Sequence, residues 1–183
     1  MQLPHKSDST NMYSPKYLRK NSTVANKLTF SLLGIYLTVL FWIIVLKLNI
    51  SFSYKGTRNI NLIPFREPLL YNGLIDYNEI FLNILIFIPL GLYLGILSKK
   101  LNTFRKALTF FTVSLFFEIC QFILSIGAFD ITDIINNTFG GIIGLILYNG
   151  LEKAFNCPVK AQKFINIIAV LCPIIILSKL LYL

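Results

Sequence analysis

Residues 107–151 read ALTFFTVSLFFEICQFILSIGAFDITDIINNTFGGIIGLILYNGL. Two apolar runs, 107–126 and 131–151, stand on either side of the short connection 127–130. Each run has about the twenty residues that a helix needs to cross a bilayer. A connection this short folds the second helix back against the first as an antiparallel hairpin. The polar residues inside the runs keep a helical rhythm. Ser114, Glu118, Gln121 and Ser125 follow at steps of 4, 3 and 4, and Asp130, Asp133, Asn137, Gly140 and Gly144 at steps of 3, 4, 3 and 4. Such steps put each set on one face of its helix. Charged and amide groups at membrane depth are costly and turn toward a bundle interior or a cavity.

Outward from this hairpin, three further apolar runs extend over about 28–46, 80–97 and 164–183. The reading is an all-α, polytopic membrane helical bundle of about five transmembrane helices, with spans 28–46, 80–97, 107–126, 131–151 and 164–183. Span 131–151 is the least apolar because it opens with polar residues. If it did not cross, four crossings would remain and the C-terminus would change sides. Residues 1–27 are polar and basic, with Pro4 and Pro15, and read as a flexible cytoplasmic tail ahead of a transmembrane domain at 28–183. No small-residue cleavage site follows the first run, so an uncleaved anchor is expected.

Composition agrees with this class. The chain of 183 residues is 55% hydrophobic and 14% charged, with a mean hydropathy of +0.68. A soluble domain carries roughly a quarter charged residues, and a disordered one has low hydrophobicity. Net charge is +9, and the basic residues cluster between apolar runs rather than along one polar face. That pattern orients a membrane protein and gives no reason to expect nucleic acid as a partner. With the tail and the 98–106 and 152–163 loops on one side, that side holds 12 basic residues against 5 on the other. The N-terminus is therefore expected inside and the C-terminus outside. Three cysteines without Cys-x-x-Cys spacing, and His5 alone in the tail, offer no disulfide framework, zinc site or histidine-based triad. No metal and no cofactor is expected; Cys120 and Cys172 read as apolar lining.

Topology gathers the polar stripes. Asp76, Glu79 and Asn83 repeat the same rhythm at the start of the second span. Glu118 lies roughly 12 Å from the outer end of its run at 1.5 Å per residue. The candidate site is thus an outer-half polar pocket formed by Asn83, Glu118, Gln121, Asp130, Asp133 and Asn137. Either these groups bond one another to fix helix packing, or they serve a ligand. A buried Glu118 needs a proton, a cation or a base such as Arg58 or Arg66 from the 47–79 connection. That connection also carries Asn61-Leu62-Ile63-Pro64-Phe65-Arg66, which either lies at the interface or folds back onto the bundle. Pro89, Gly91, Gly95, Gly140 and Gly144 read as helix-packing residues: Gly-x-x-x-Gly lets backbones approach, and Pro89 is expected to kink its span.

The blocks Phe117–Phe122 and Gly127–Gly141, with Asn61-Leu62-Ile63-Pro64-Phe65 and Asn83–Gly91 upstream, resemble in content and order the signature of VanZ-like proteins. The likeness covers about residues 28–183. Ala128-Phe129 departs from it where many relatives carry an Arg. The resemblance implies a small multi-pass protein of the Gram-positive cell membrane, associated with low-level resistance to teicoplanin, a lipid-tailed glycopeptide, and little effect on vancomycin. It brings no established catalytic set. The motif residues map to Asn83, Glu118, Gln121, Asp130, Asp133 and Asn137.

Three classes of function follow as expectations. The first is a non-enzymatic resistance factor at the outer face, with the lipid bilayer and either teicoplanin or a lipid-linked cell-wall precursor as partners. The second is a membrane enzyme on a lipid-linked wall intermediate, its carboxylates acting as acid and base or holding a divalent cation. The third is a transporter-associated subunit, or a homo-oligomer formed through the glycine faces.

Overall fold

The computed structural model describes residues 15–45, 60–65, 77–125 and 127–181. Among them are five helices: α1 (Pro15–Val45), α2 (Tyr77–Leu97), α3 (Thr103–Ile123), α4 (Ile131–Phe155) and α5 (Pro158–Leu181). Two short strands, β1 (Ile60–Asn61) and β2 (Phe129–Asp130), complete the order. Four helices are long and apolar enough to cross a membrane: α1 from Ala25, α2 from Ile80, α3 and α4. Of these α4 is the least apolar and the most buried. α5, the fifth helix, covers the last apolar run.

Local chemistry sets the helix ends. α1 takes in Pro15–Lys27, which composition alone assigns to the tail. Proline fits a first helical turn, and the Lys, Arg and Leu that follow are good helix formers. Asn102 caps α3 by accepting the Arg105 backbone N–H at 2.9 Å. Asp130 caps α4 through Thr132 N–H at 2.7 Å. Asn156 ends α4 in the left-handed region at φ 47°, and Pro158 opens α5. The hairpin turn between α3 and α4 is longer than 127–130, because α3 stops at Ile123 and Ser125 takes φ 55°. The chain is then free to run through β2, which pairs in parallel with β1: Ile60 opposite Phe129 and Asn61 opposite Asp130.

α2 and α4 form the tightest helix pair. A β-carbon on Gly144 would overlap the Ile88 carbonyl oxygen, and one on Gly140 that of Ile84. One on Gly91 would lie 2.7 Å from Leu145 N and 2.8 Å from Gly144 Cα. The two backbones thus touch over several turns, which only glycine permits. Gly95 instead receives the Tyr148 ring, and Gly141 the Phe110 ring. Around this axis Leu40, Phe87, Leu90, Phe110 and Phe117 form the buried core, with Phe87 and Phe117 edge to face at 6.4 Å. Next to Pro89, the Tyr36 hydroxyl donates to the Ile86 carbonyl at 2.7 Å, in the turn where proline disturbs the helix ladder.

The outer faces are apolar. Phe30, Trp42, Phe81, Phe116, Phe139 and Ile146 are all more than half exposed. Such an envelope suits hydrocarbon, in which polar groups must be satisfied inside the bundle.

Candidate functional site

The end of the bundle where α1 and α3 finish and α2 and α4 begin carries a buried polar network. It starts at the α4 cap. Asp130 has three roles there: its Oδ1 accepts from Thr132 N–H at 2.7 Å, its Oδ2 accepts from Asn61 Nδ2 at 3.2 Å, and its own backbone N–H donates to Glu118 Oε2 at 3.0 Å. Glu118 is 1% exposed. A carboxylate at that depth survives by accepting hydrogen bonds and by opposing positive charge. The α4 N-terminus supplies both an N–H and the positive end of the helix dipole. The Asp130 cap itself contributes about 1 kcal/mol to the helix.

The 60–65 segment is fastened to this cap by the Asn61 amide and by its backbone. Asn61 Oδ1 accepts the Ile63 N–H at 3.2 Å, and Phe65 N–H donates to Thr132 Oγ1 at 3.1 Å. Phe65 takes φ 59° to make that turn. Leu62, Ile63 and Phe65 meanwhile stay exposed. The segment therefore folds back through its polar atoms and presents an apolar edge.

One turn deeper, α4 bonds both neighbours. Asn83 Nδ2 on α2 donates to Asp133 Oδ1 at 2.6 Å, and Asn137 Nδ2 donates to Ser114 Oγ on α3 at 2.9 Å. Asn136 Nδ2, Asn137 Oδ1 and Thr138 Oγ1 are buried with no hydrogen-bond partner among the described residues. Buried polar atoms are nearly always satisfied, so this stretch of α4 keeps capacity for a water or a ligand group.

Five of the six residues selected from the sequence fall in these two layers: Glu118 and Asp130 in the first, Asn83, Asp133 and Asn137 in the second. Gln121 does not join them. Its Nε2 donates to the Ile44 carbonyl on α1 at 2.8 Å and ties α3 to α1. Arg58, Arg66 and Asp76, and the Glu79 side chain, lie outside what is described. Asn61 and Thr132 belong to the network and escaped selection, as did the buried Asn136 beside it. Asn61 sat in a quoted block, but nothing in its spacing tied it to Asp130. No group of three His, Cys, Asp or Glu among the described residues is close enough to hold a metal ion. The site's unpaired atoms among the described residues are one amide donor, Asn136 Nδ2, one amide acceptor, Asn137 Oδ1, and the Thr138 hydroxyl, so its spare capacity suits a polar group that both donates and accepts.

A second buried cluster joins α1 to α5 toward the opposite end. Thr29 Oγ1 accepts from Gln162 Nε2 at 2.8 Å and Asn166 Nδ2 at 2.9 Å, and donates to the Ala25 carbonyl at 2.8 Å. Gln162-x-x-x-Asn166 is a helical spacing that could have flagged it.

A helical bundle with this order of polar blocks defines the class: residues 33–152 match the VanZ/LLP1 family, and the chain belongs to it. It is 38% identical over 158 residues to Protein VanZ of Enterococcus faecium, covering 84% of this chain and 91% of that protein. No solved structure matches it.

Proposed function

We propose that this protein is a multi-pass cell-membrane resistance factor that lowers susceptibility to teicoplanin without a covalent step. It acts at the outer face, where it engages the lipid-tailed drug or alters access to lipid-linked wall precursors. One observation carries the reading. The blocks that give the VanZ likeness, far apart in sequence, meet at one end of the bundle, in a layer around Glu118 and Asp130 and a second that joins Asn83 to Asp133. The spare donor and acceptor atoms there suit the amide groups of a glycopeptide, and the exposed Leu62, Ile63 and Phe65 at the same end suit an acyl chain. The outward orientation is supported by charge. The opposite end carries Lys99, Lys100, Arg105 and Lys106 around the α2–α3 connection and Lys153, Lys160 and Lys163 around the α4–α5 connection.

Susceptibility to teicoplanin and vancomycin in a matched Gram-positive host, with empty vector or wild type, tests the function. Selective protection against teicoplanin is expected. No protection from well-accumulated protein would leave the fold without this activity.

A further inference from the structure

At the end of the bundle away from the polar network, two cavities lie in line. The first is an apolar groove of about 310 Å³ between α1, α2 and α5, walled by Leu32, Ile35, Pro89, Leu92, Ile165 and Ile168. The second is a cleft of about 440 Å³, lined among others by Ile96, Lys99, Lys100, Tyr148 and Gln162. Leu92 to Ile96 on α2, and Ile165 to Gln162 on α5, are each about one helical turn. The groove therefore runs into the cleft along the same two helices, apolar first and basic at the mouth.

Two features of the mouth call for an anion. Tyr148 is 2% exposed, and its hydroxyl sits beside the Lys99–Glu152 pair with no partner in good hydrogen-bond geometry among the described residues. A buried hydroxyl without such a partner costs free energy that an incoming acceptor recovers. The second feature is charge. Lys99 bonds Glu152 at 2.9 Å, while Lys100 is exposed beside it. Across the 98–106 and 152–163 connections Glu152 is the single acidic residue against seven basic ones. A free anion would use only the mouth. A groove of this chemistry adjoining it fits an anion that carries a hydrocarbon chain, and basic pockets between spanning helices bind acidic headgroups.

We propose that this end holds one anionic bilayer lipid, its acyl chain in the α1–α2–α5 groove and its phosphate against Lys100 and the Tyr148 hydroxyl. The site is independent of the network around Glu118 and of the resistance reading.

Native mass spectrometry of the full chain in detergent, with added phosphatidylglycerol or phosphatidylcholine, tests it. Phosphatidylglycerol should be retained at least several-fold better than phosphatidylcholine. Lys100→Gln should weaken its retention about fivefold, the usual worth of one lysine near an acidic headgroup. Tyr148→Phe, which keeps the ring against Gly95, should also weaken it. Ala169→Phe, which fills the groove, should lower retention of both lipids. Lys153→Gln, an exposed lysine outside the cleft, should change nothing, and excess inorganic phosphate should leave the lipid bound. Equal retention of the two lipids, or an equal loss from Lys153→Gln and Lys100→Gln, would overturn the proposal. So would full displacement by inorganic phosphate, which would mark a free-phosphate site.

Discussion

Gly144→Ala is a sharp probe of the α2–α4 contact on which the polar network is built. The added methyl would overlap the Ile88 carbonyl oxygen and sit 2.9 Å from Ile88 C and 3.0 Å from Gly91 Cα. All three are backbone atoms, so no flexible side chain can swing away and the helices themselves must part. Overpacking of this kind costs about 3 kcal/mol at the upper end of its usual range. Alanine returns about 1 kcal/mol through its better helix propensity. The net is a destabilisation of about 2 kcal/mol, roughly 4–8 °C in apparent Tm for a chain of this size. Gly150→Ala supplies the control within the same helix, because nothing lies within 4 Å of its added methyl. Propensity alone acts there, and the variant should match or exceed wild type. Thermal unfolding of the purified protein in detergent, followed by loss of the monodisperse peak, measures both. If Gly144→Ala melts with or above Gly150→Ala, the close backbone contact is wrong, and the placement of Asn83 against Asp133 falls with it.

Thr29→Val removes the oxygen shared by Gln162 and Asn166 and should cost about 1 kcal/mol, with Thr29→Ser restoring most of it in the same unfolding assay. Burial pushes the Lys99 ammonium down, but its interactions with Glu152 and Tyr148 together outweigh this and hold it above the ordinary lysine value. The pair's stabilisation is therefore complete below the ordinary lysine pKa and is lost as pH rises through the raised one. Because Lys99 is half exposed, Glu152→Gln should lower stability by at most about 0.5 kcal/mol near neutrality, a difference that disappears in strongly alkaline buffer. For the orientation, fluorescent-protein fusions within the 98–106 loop should glow as cytoplasmic reporters while fusions near Gly127 should not; the reverse pattern would invert the bundle.

The helices were legible because each apolar run is long and its polar residues keep a 3.6-residue period. The same period selected Glu118, Asp133 and Asn137, since a carboxylate or amide inside an apolar run has few places to go. Periodicity assigns a face, though, and not a neighbour. Gln121 shares the stripe of Glu118 yet reaches the Ile44 carbonyl on α1. Pairing of Ile60–Asn61 with Phe129–Asp130 was invisible for another reason. A two-residue strand has no period, and its partner lies some seventy positions away, so the sequence left open whether the Asn61 segment lies at the interface or folds back onto the bundle. Thr29 was missed because one threonine in an apolar run is unremarkable until the Gln162 and Asn166 amides on α5 are set beside it.

The most direct test of the central claim is teicoplanin and vancomycin susceptibility of one host carrying wild type, Glu118→Gln or Asp133→Asn, with membrane levels of each protein measured alongside. Both changes keep the size of the side chain and replace its carboxyl group with an amide. Selective teicoplanin protection by wild type, lost in both variants at unchanged protein levels, is the predicted result. Full protection by both variants would contradict a working role for the network around Glu118 and Asp133.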